Sequence, residues 1–249
     1  NEGLRITHIF ETHRNEDLVS GAPILAELTG AEVFHGPNAD GEVVYAKTTR
    51  EGDCHAIGQL EIRVLETPGH TFDHVAYAIF DSEYPDKAVG VFTGDALFVG
   101  DVGRTDFYPD RKREVASLLF DSLHKICDLG DQAIIYPAHG AGSVCGSGMA
   151  DREFSTVGHE RRNNPMLQIE DRDAFIDRKV NENHYQPPYF RLMEHLNLVG
   201  GEAAPRVLRP QPMSLGELSS CDAGRVSMSA SHLPMRRGIF RAASTYRSA

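Results

Sequence analysis

Apolar positions along the chain change period several times, and each change marks an element. The run Leu4-Arg5-Ile6-Thr7-His8-Ile9-Phe10 follows Gly3 and is rich in β-formers, so it predicts a strand ending at Glu11-Thr12-His13. Over 17–29 the spacing turns helical through Leu18, Ala22, Leu25 and Leu28, with Gly30 placed as the stop. Short apolar stretches bounded by Gly, Pro, Asn and Asp predict strands at 31–35, 42–47, 59–66, 74–80 and 88–93. Val115, Leu118, Leu119, Leu123 and Ile126 recur at three- and four-residue steps and predict a helix over 111–128, with Gly130 after it. A strand at 133–136 runs into Pro137-Ala138-His139-Gly140, and helical patterns resume over 151–162, 170–181 and 188–196. Strands followed by helices predict an α/β layered protein with its site on strand-end loops.

Charge divides the chain. Of its 25 Lys/Arg and 36 Asp/Glu, 7 and 3 respectively fall in 202–249, a stretch of Pro, Ser, Ala and Arg with little periodicity. The expected organisation is a catalytic domain over 1–201 and a basic linker or degenerate carboxy-terminal segment over 202–249. A net charge of -11 argues against a nucleic-acid surface, which needs clustered cations. With no apolar run long enough to span a bilayer and no secretory signal at its start, a cytoplasmic protein without a membrane partner is expected. The 4 cysteines form no CxxC pair, so reduced thiols are expected, and the 12 histidines direct attention to metal chemistry.

The candidate chemistry sits in four strand-end motifs. They are Thr12-His13-Arg14-Asn15-Glu16-Asp17, Thr67-Pro68-Gly69-His70-Thr71, Phe92-Thr93-Gly94-Asp95-Ala96-Leu97-Phe98 and Tyr136-Pro137-Ala138-His139-Gly140. A lone His or Asp after a strand is usually a turn residue, but the four in this order are specific. Over residues 3–200 the sequence resembles the metallo-β-lactamase superfamily, and within it the persulfide (sulfur) dioxygenases of the bacterial type fused to rhodanese domains. Glu11 to Asp17, Pro137 to Ser143, and Thr93 to Phe98 through Gly103-Arg104-Thr105-Asp106-Phe107 carry that resemblance.

The resemblance implies an αββα sandwich, here without its first amino-terminal strands. Two-metal hydrolases of that fold use a His-x-His-x-Asp-His loop, and this chain has Asn15 and Leu18 where two of those histidines would stand. An Asn amide is a poor ligand and Leu is none, so one ion per chain is expected. His13, His70 and Asp95 remain, the two-imidazole, one-carboxylate set of non-haem Fe(II) oxygenases; zinc or manganese would accept the same donors. The implied reaction oxidises a glutathione- or coenzyme-A-type persulfide with O2 to sulfite and free thiol.

Each supporting residue carries a second reading. Asp17 and His139 are expected to orient ligands or bound water, although Asp17 could instead cap a helix beginning at Leu18 and His139 could be a hydrogen-bonded loop histidine. In the resembling enzymes the position of Arg104 helps bind the thiol carrier, and the alternative is an ion pair with Asp101 or Asp106. Cys145 would accept or relay sulfur, or be a small buried residue. His74 is expected to support the His70 loop or cap a sheet edge. Cys221 lies in no convincing rhodanese loop. Competing functions are a thioester hydrolase of the glyoxalase II kind and an inactive fragment, and a homo-oligomer is left open.

Overall fold

In the computed structural model, residues 3–38, 41–146 and 148–200 are described. The expected boundary at 201 and the segment 202–249, with Cys221, lie outside them.

Strand β6 (Val75–Asp81) explains the layering, because both of its faces are covered. Val75 and Tyr77 face Ile62, Val64 and Phe10, whereas Ala76, Ala78 and Phe80 face the helix side. Small alanines let helix α2 (Lys112–Cys127) approach closely, and its Val115, Leu119, Leu123 and Ile126 are almost wholly buried. Burying each such side chain contributes about 1.5–3 kcal/mol.

The larger sheet has the order β4 (Cys54–Ile57), β5 (Leu60–Glu66), β6, β7 (Gly90–Gly94), β8 (Ile134–Pro137), β9 (Ser155–Thr156). It is antiparallel except between β7 and β8, which α2 joins as a crossover. A smaller parallel sheet has the order β1 (His8–Phe10), β2 (Glu32–His35), β3 (Lys47–Thr48), with α1 (Ala22–Thr29) packed on β2. The sheets meet where the Phe10 and Tyr77 rings lie 4.9 Å apart and the Tyr77 hydroxyl donates to the Glu11 carbonyl at 2.8 Å. The result is the expected metallo-β-lactamase fold. Among the described residues no helix is long and apolar enough to cross a membrane.

Several elements differ from their expected extents. The first strand covers only 8–10, because β2 begins its pairing at His8 and Leu4 is left exposed. The helix expected from residue 17 starts at Ala22, since α5 (Phe190–Val199) sends buried Asn197 into the preceding loop. Its amide donates to the Asn15 and Leu18 carbonyls at 2.8 and 2.7 Å and accepts from Ser20 N–H at 2.8 Å. Asp17 therefore caps no helix. Residues 42–46 form a turn rather than a strand, with Val44 N–H donating to the Leu198 carbonyl. The helix expected over 151–162 becomes β9 followed by α3 (Val157–Asn163), which the Thr156 side chain caps by accepting from His159 N–H. Strand β4 was not expected. It is a partly exposed edge strand of mixed polarity, turned into β5 through Gly58 at φ +64°. Helix α4 (Arg172–Val180) falls within its expected range.

Candidate metal centre

The loops after β1, β5, β7 and β8 converge at one edge of the sheets. Thr12 O accepts from Val75 N–H at 2.7 Å and Asp73 accepts from Arg14 N–H at 2.7 Å, which fixes the first loop against the start of β6. Gly94 has φ +51°, and a Cβ there would lie 2.5 Å from His74 Nε2 and 2.8 Å from Thr12 Cβ. A Cβ on Gly103 would lie 1.8 Å from the Asp95 carbonyl oxygen. Both positions require glycine for these loops to close around the site.

His13, Glu16, His70 and Asp95 are each at most 1% exposed. His70 Nδ1 lies 3.0 Å from the Arg104 carbonyl, which can only accept, so Nδ1 carries the proton and Nε2 presents a lone pair. That Nε2 is 3.3 Å from Glu16 Oε1 and 3.5 Å from Asp95 Oδ2. His13 Nδ1 lies 2.9 Å from Thr12 Oγ1, and its Nε2 is 3.7 Å from Glu16 Oε2. On the other side, His139 Nε2 lies 3.4 Å from Asp95 Oδ2 and 3.5 Å from Asp17 Oδ2. Cys145 closes the pocket floor, donating its thiol to Glu16 Oε1 at 3.3 Å.

The electrostatics match a cation site. Burial lowers the pKa of His13, but Glu16 and Asp95 outweigh it and carry the imidazole up to about 9. Burial raises that of Asp95, but His70, His139 and His13 outweigh it and hold the carboxyl at about 2. Burial raises Asp17, with His139 opposing, and His139 is raised by Asp95 and Asp17 against its own burial. His74 stays neutral because burial, then His13 and His70, push it well below its ordinary value. Its Nε2 accepts from Asp95 N–H at 3.0 Å and its Nδ1 donates to Thr67 Oγ1 at 2.8 Å, so it positions the Asp95 backbone.

Seven buried atoms here have no hydrogen-bond partner: the Nε2 atoms of His13, His70 and His139, Glu16 Oε2, Asp17 Oδ1, and both Asp95 oxygens. Buried polar atoms are normally paired, and donors bonded at about 2.1 Å to one ion stand roughly 3.0–3.4 Å apart. The pocket thus fits a divalent cation. The donor atoms gather into three overlapping groups: His13, Glu16 and His70; Glu16, Asp95 and Cys145; and Asp17, His139 and Cys145.

Of the expected metal residues, His13 and His70 group with Glu16, Asp95 groups with Glu16 and Cys145 and lies 3.5 Å from His70, and Asp17 and His139 group with Cys145. Arg104 does not join them. It has no exposed surface, and its guanidinium donates to both Asp106 oxygens at 2.7 and 2.8 Å and to the Val144 and Tyr185 carbonyls at 3.1 Å. The alternative reading, an ion pair with Asp106, is the contact present, and the same side chain holds the loops at 144 and 185. Cys145 is likewise a buried neutral thiol: burial, then Glu16 and Asp95, push its pKa up, which disfavours the thiolate needed to accept sulfur. Glu16 was missed. Its signal was a carboxylate three residues beyond His13, inside the first strand-end motif and just before the expected helix.

A family model described as the Metallo-beta-lactamase superfamily matches residues 1–139, more than half of the chain. The chain belongs to this superfamily, and with its site it is a metal-dependent enzyme. It is 37% identical over 144 residues to a hydroxyacylglutathione hydrolase of Rhodospirillum rubrum, covering 55% of this chain and 49% of that one. The chain thus spans about half the length of the hydrolases it matches. Among solved structures, a metallo-beta-lactamase from Staphylococcus aureus matches with TM-score 0.74 and 31% identity, over 81% of this chain and 60% of that one. ETHE1 from Myxococcus xanthus matches with TM-score 0.66 and 32% identity, over 80% of each chain.

Proposed function

We propose that this protein is a cytoplasmic persulfide dioxygenase that holds one Fe(II) through His13, His70 and Asp95, with residues 1–201 as its catalytic unit. The carrying observation is that unpaired His13 Nε2, His70 Nε2 and Asp95 oxygens are buried side by side, with His70 grouped with His13 and its Nε2 3.5 Å from Asp95 Oδ2. Asn15 turns its amide to the His13 carbonyl at 3.4 Å, and the Leu18 side chain is 43% exposed. The motif resemblance to the persulfide dioxygenases supports the choice of reaction.

Ferrous iron supplies the redox chemistry by which dioxygen reacts with a spin-paired sulfur. The protein holds both reactants together, a proximity effect. The Arg104 carbonyl keeps the His70 lone pair aimed inward, and His74 keeps Asp95 in place through its backbone. Asp17 and His139 border the side of the pocket that retains some exposure, where they orient substrate or water by hydrogen bonds. In balance, RSSH, O2 and H2O give RSH and sulfurous acid, which ionises to sulfite; glutathione or coenzyme A is the carrier class.

A second reading, a metal-dependent thioester hydrolase, is favoured by the hydroxyacylglutathione hydrolases and by the Asp17, His139 and Cys145 group. In it these residues would hold an ion that supplies Lewis-acid activation of a water nucleophile. Parallel assays on one iron-loaded preparation separate the two. Oxygen uptake with glutathione persulfide and little turnover of S-lactoylglutathione is expected; thioester turnover without oxygen uptake would overturn the dioxygenase.

A further inference from the structure

We propose that Glu16 is a fourth protein ligand of the metal, completing a two-histidine, two-carboxylate set with His13, His70 and Asp95. The proposal rests on reading those three residues as metal ligands, and not on which reaction the site performs.

A carboxylate that is 1% exposed needs donors or a cation around it. The Cys145 thiol, a weak donor, reaches Oε1 at 3.3 Å, and Oε2 has no hydrogen-bond partner. What Glu16 faces instead is imidazole nitrogen: His70 Nε2 at 3.3 Å and His13 Nε2 at 3.7 Å. Because the Arg104 carbonyl engages His70 Nδ1, Nε2 is the ring nitrogen turned toward the carboxylate oxygen. A ring nitrogen lone pair and a carboxylate oxygen at that distance need a positive centre between them, and a proton or a metal ion can fill that role. The 3.5 Å between His70 Nε2 and Asp95 Oδ2, which share the same requirement, sets the scale. Glu16 is as close to His70 as Asp95 is, and it alone of the two carboxylates groups with both histidines, so the geometry favours it as a ligand at least as much as Asp95.

The loop explains how residues 13 and 16 reach one point. Asn197 holds the Asn15 and Leu18 carbonyls and the Ser20 N–H, so the chain from 13 to 20 stays out of α1 and curls around the site. In a helix started at Leu18, as the sequence suggests, this curl would be lost. With Glu16 bound, two carboxylates would neutralise a divalent ion, and a metal that takes six ligands would keep two positions for reactants rather than three. Two suffice for one sulfur and one dioxygen, or for one water and one carbonyl oxygen, so the inference fits either reaction.

The test is metal binding by the full chain, read by chelator competition with Zn(II) and by the visible absorption of the Co(II) form. Wild type, Glu16→Gln, Glu16→Asp and Cys145→Ala are compared, with thermal unfolding of each metal-free protein as the control for folding. Expected are a loss of affinity on the order of 10–100-fold and an altered Co(II) spectrum in Glu16→Gln, which keeps the shape and an acceptor for Cys145 but not the charge. Glu16→Asp should regain part of the affinity, and Cys145→Ala should lose less than Glu16→Gln, since removing the thiol leaves both Glu16 oxygens in place. A Glu16→Gln protein with wild-type affinity and a superimposable Co(II) spectrum overturns the proposal. So does a Cys145→Ala loss equal to that of Glu16→Gln, which would make Glu16 only the partner of the thiol. Should Glu16→Gln not fold, Glu16→Asp decides: an unchanged spectrum overturns the proposal and a shifted one upholds it. Oxygen uptake is measured separately on wild type, so absence of uptake with these binding results would remove the dioxygenase reading and leave Glu16 in place.

Discussion

The two sides of the pocket are built differently. On the His13, Glu16 and His70 side every group is at most 1% exposed, and a backbone carbonyl fixes the His70 tautomer. On the Asp17 and His139 side both side chains are 14% exposed, and they face each other and Asp95. Buried donors with locked orientation suit a resident ion, whereas partly open groups suit a substrate that must enter and leave. Asp95 touches both sides, with Oδ2 3.5 Å from His70 Nε2 and 3.4 Å from His139 Nε2.

Breaking the shared residue should have the largest effect. Asp95→Asn is nearly isosteric but loses the carboxylate charge, so oxygen consumption with persulfide should be abolished while circular dichroism remains native. Next is Arg104→Ala, which leaves the Asp106 carboxylate without its partner and two loop carbonyls without donors. Breaking a buried pair costs about 3–5 kcal/mol, so chemical unfolding should show a loss of that order. If stability were unchanged and only KM rose, the side chain would be binding the carrier after all.

Asn197→Leu frees the loop that carries His13 and Glu16 on the closed side and Asp17 on the open one. Metal affinity in chelator competition should fall on the order of 10–100-fold with the far-UV spectrum unchanged. His139→Gln probes the open side and should cost roughly tenfold in kcat with metal content unchanged. A His139→Gln protein that loses its metal would erase the distinction between the two sides. The smallest effect is on acid stability. Burial raises the Asp106 pKa, but Arg104 and Gln186 outweigh it and hold the carboxyl below its ordinary value. The pair's contribution is therefore present above the unfolded carboxyl range and lost as pH falls through the folded value. Asp106→Asn should flatten that part of an acid unfolding curve.

The sequence spoke clearly where periodicity and burial coincide. The extents of β5 to β8 and α2 were legible because alternating or helical apolar spacing there matches the faces the core covers. The candidate motifs at His70, Asp95 and His139 were legible because each follows such a strand. What escaped depends on partners far along the chain. The irregular loop before α1 is made by Asn197, 182 residues beyond Asn15, and the Arg104 guanidinium is spent on carbonyls at Val144 and Tyr185. Glu16 was passed over because nothing local shows that it is buried beside two imidazoles. Strand β4 was hidden because Cys54-His55-Ala56-Ile57 has neither alternation nor an apolar run.

The most direct test of the account is oxygen uptake by the full chain, loaded anaerobically with Fe(II) and given glutathione persulfide in an oxygen electrode. The account predicts persulfide-dependent consumption of one O2 per sulfite formed; an iron-loaded protein that consumes no oxygen would contradict it.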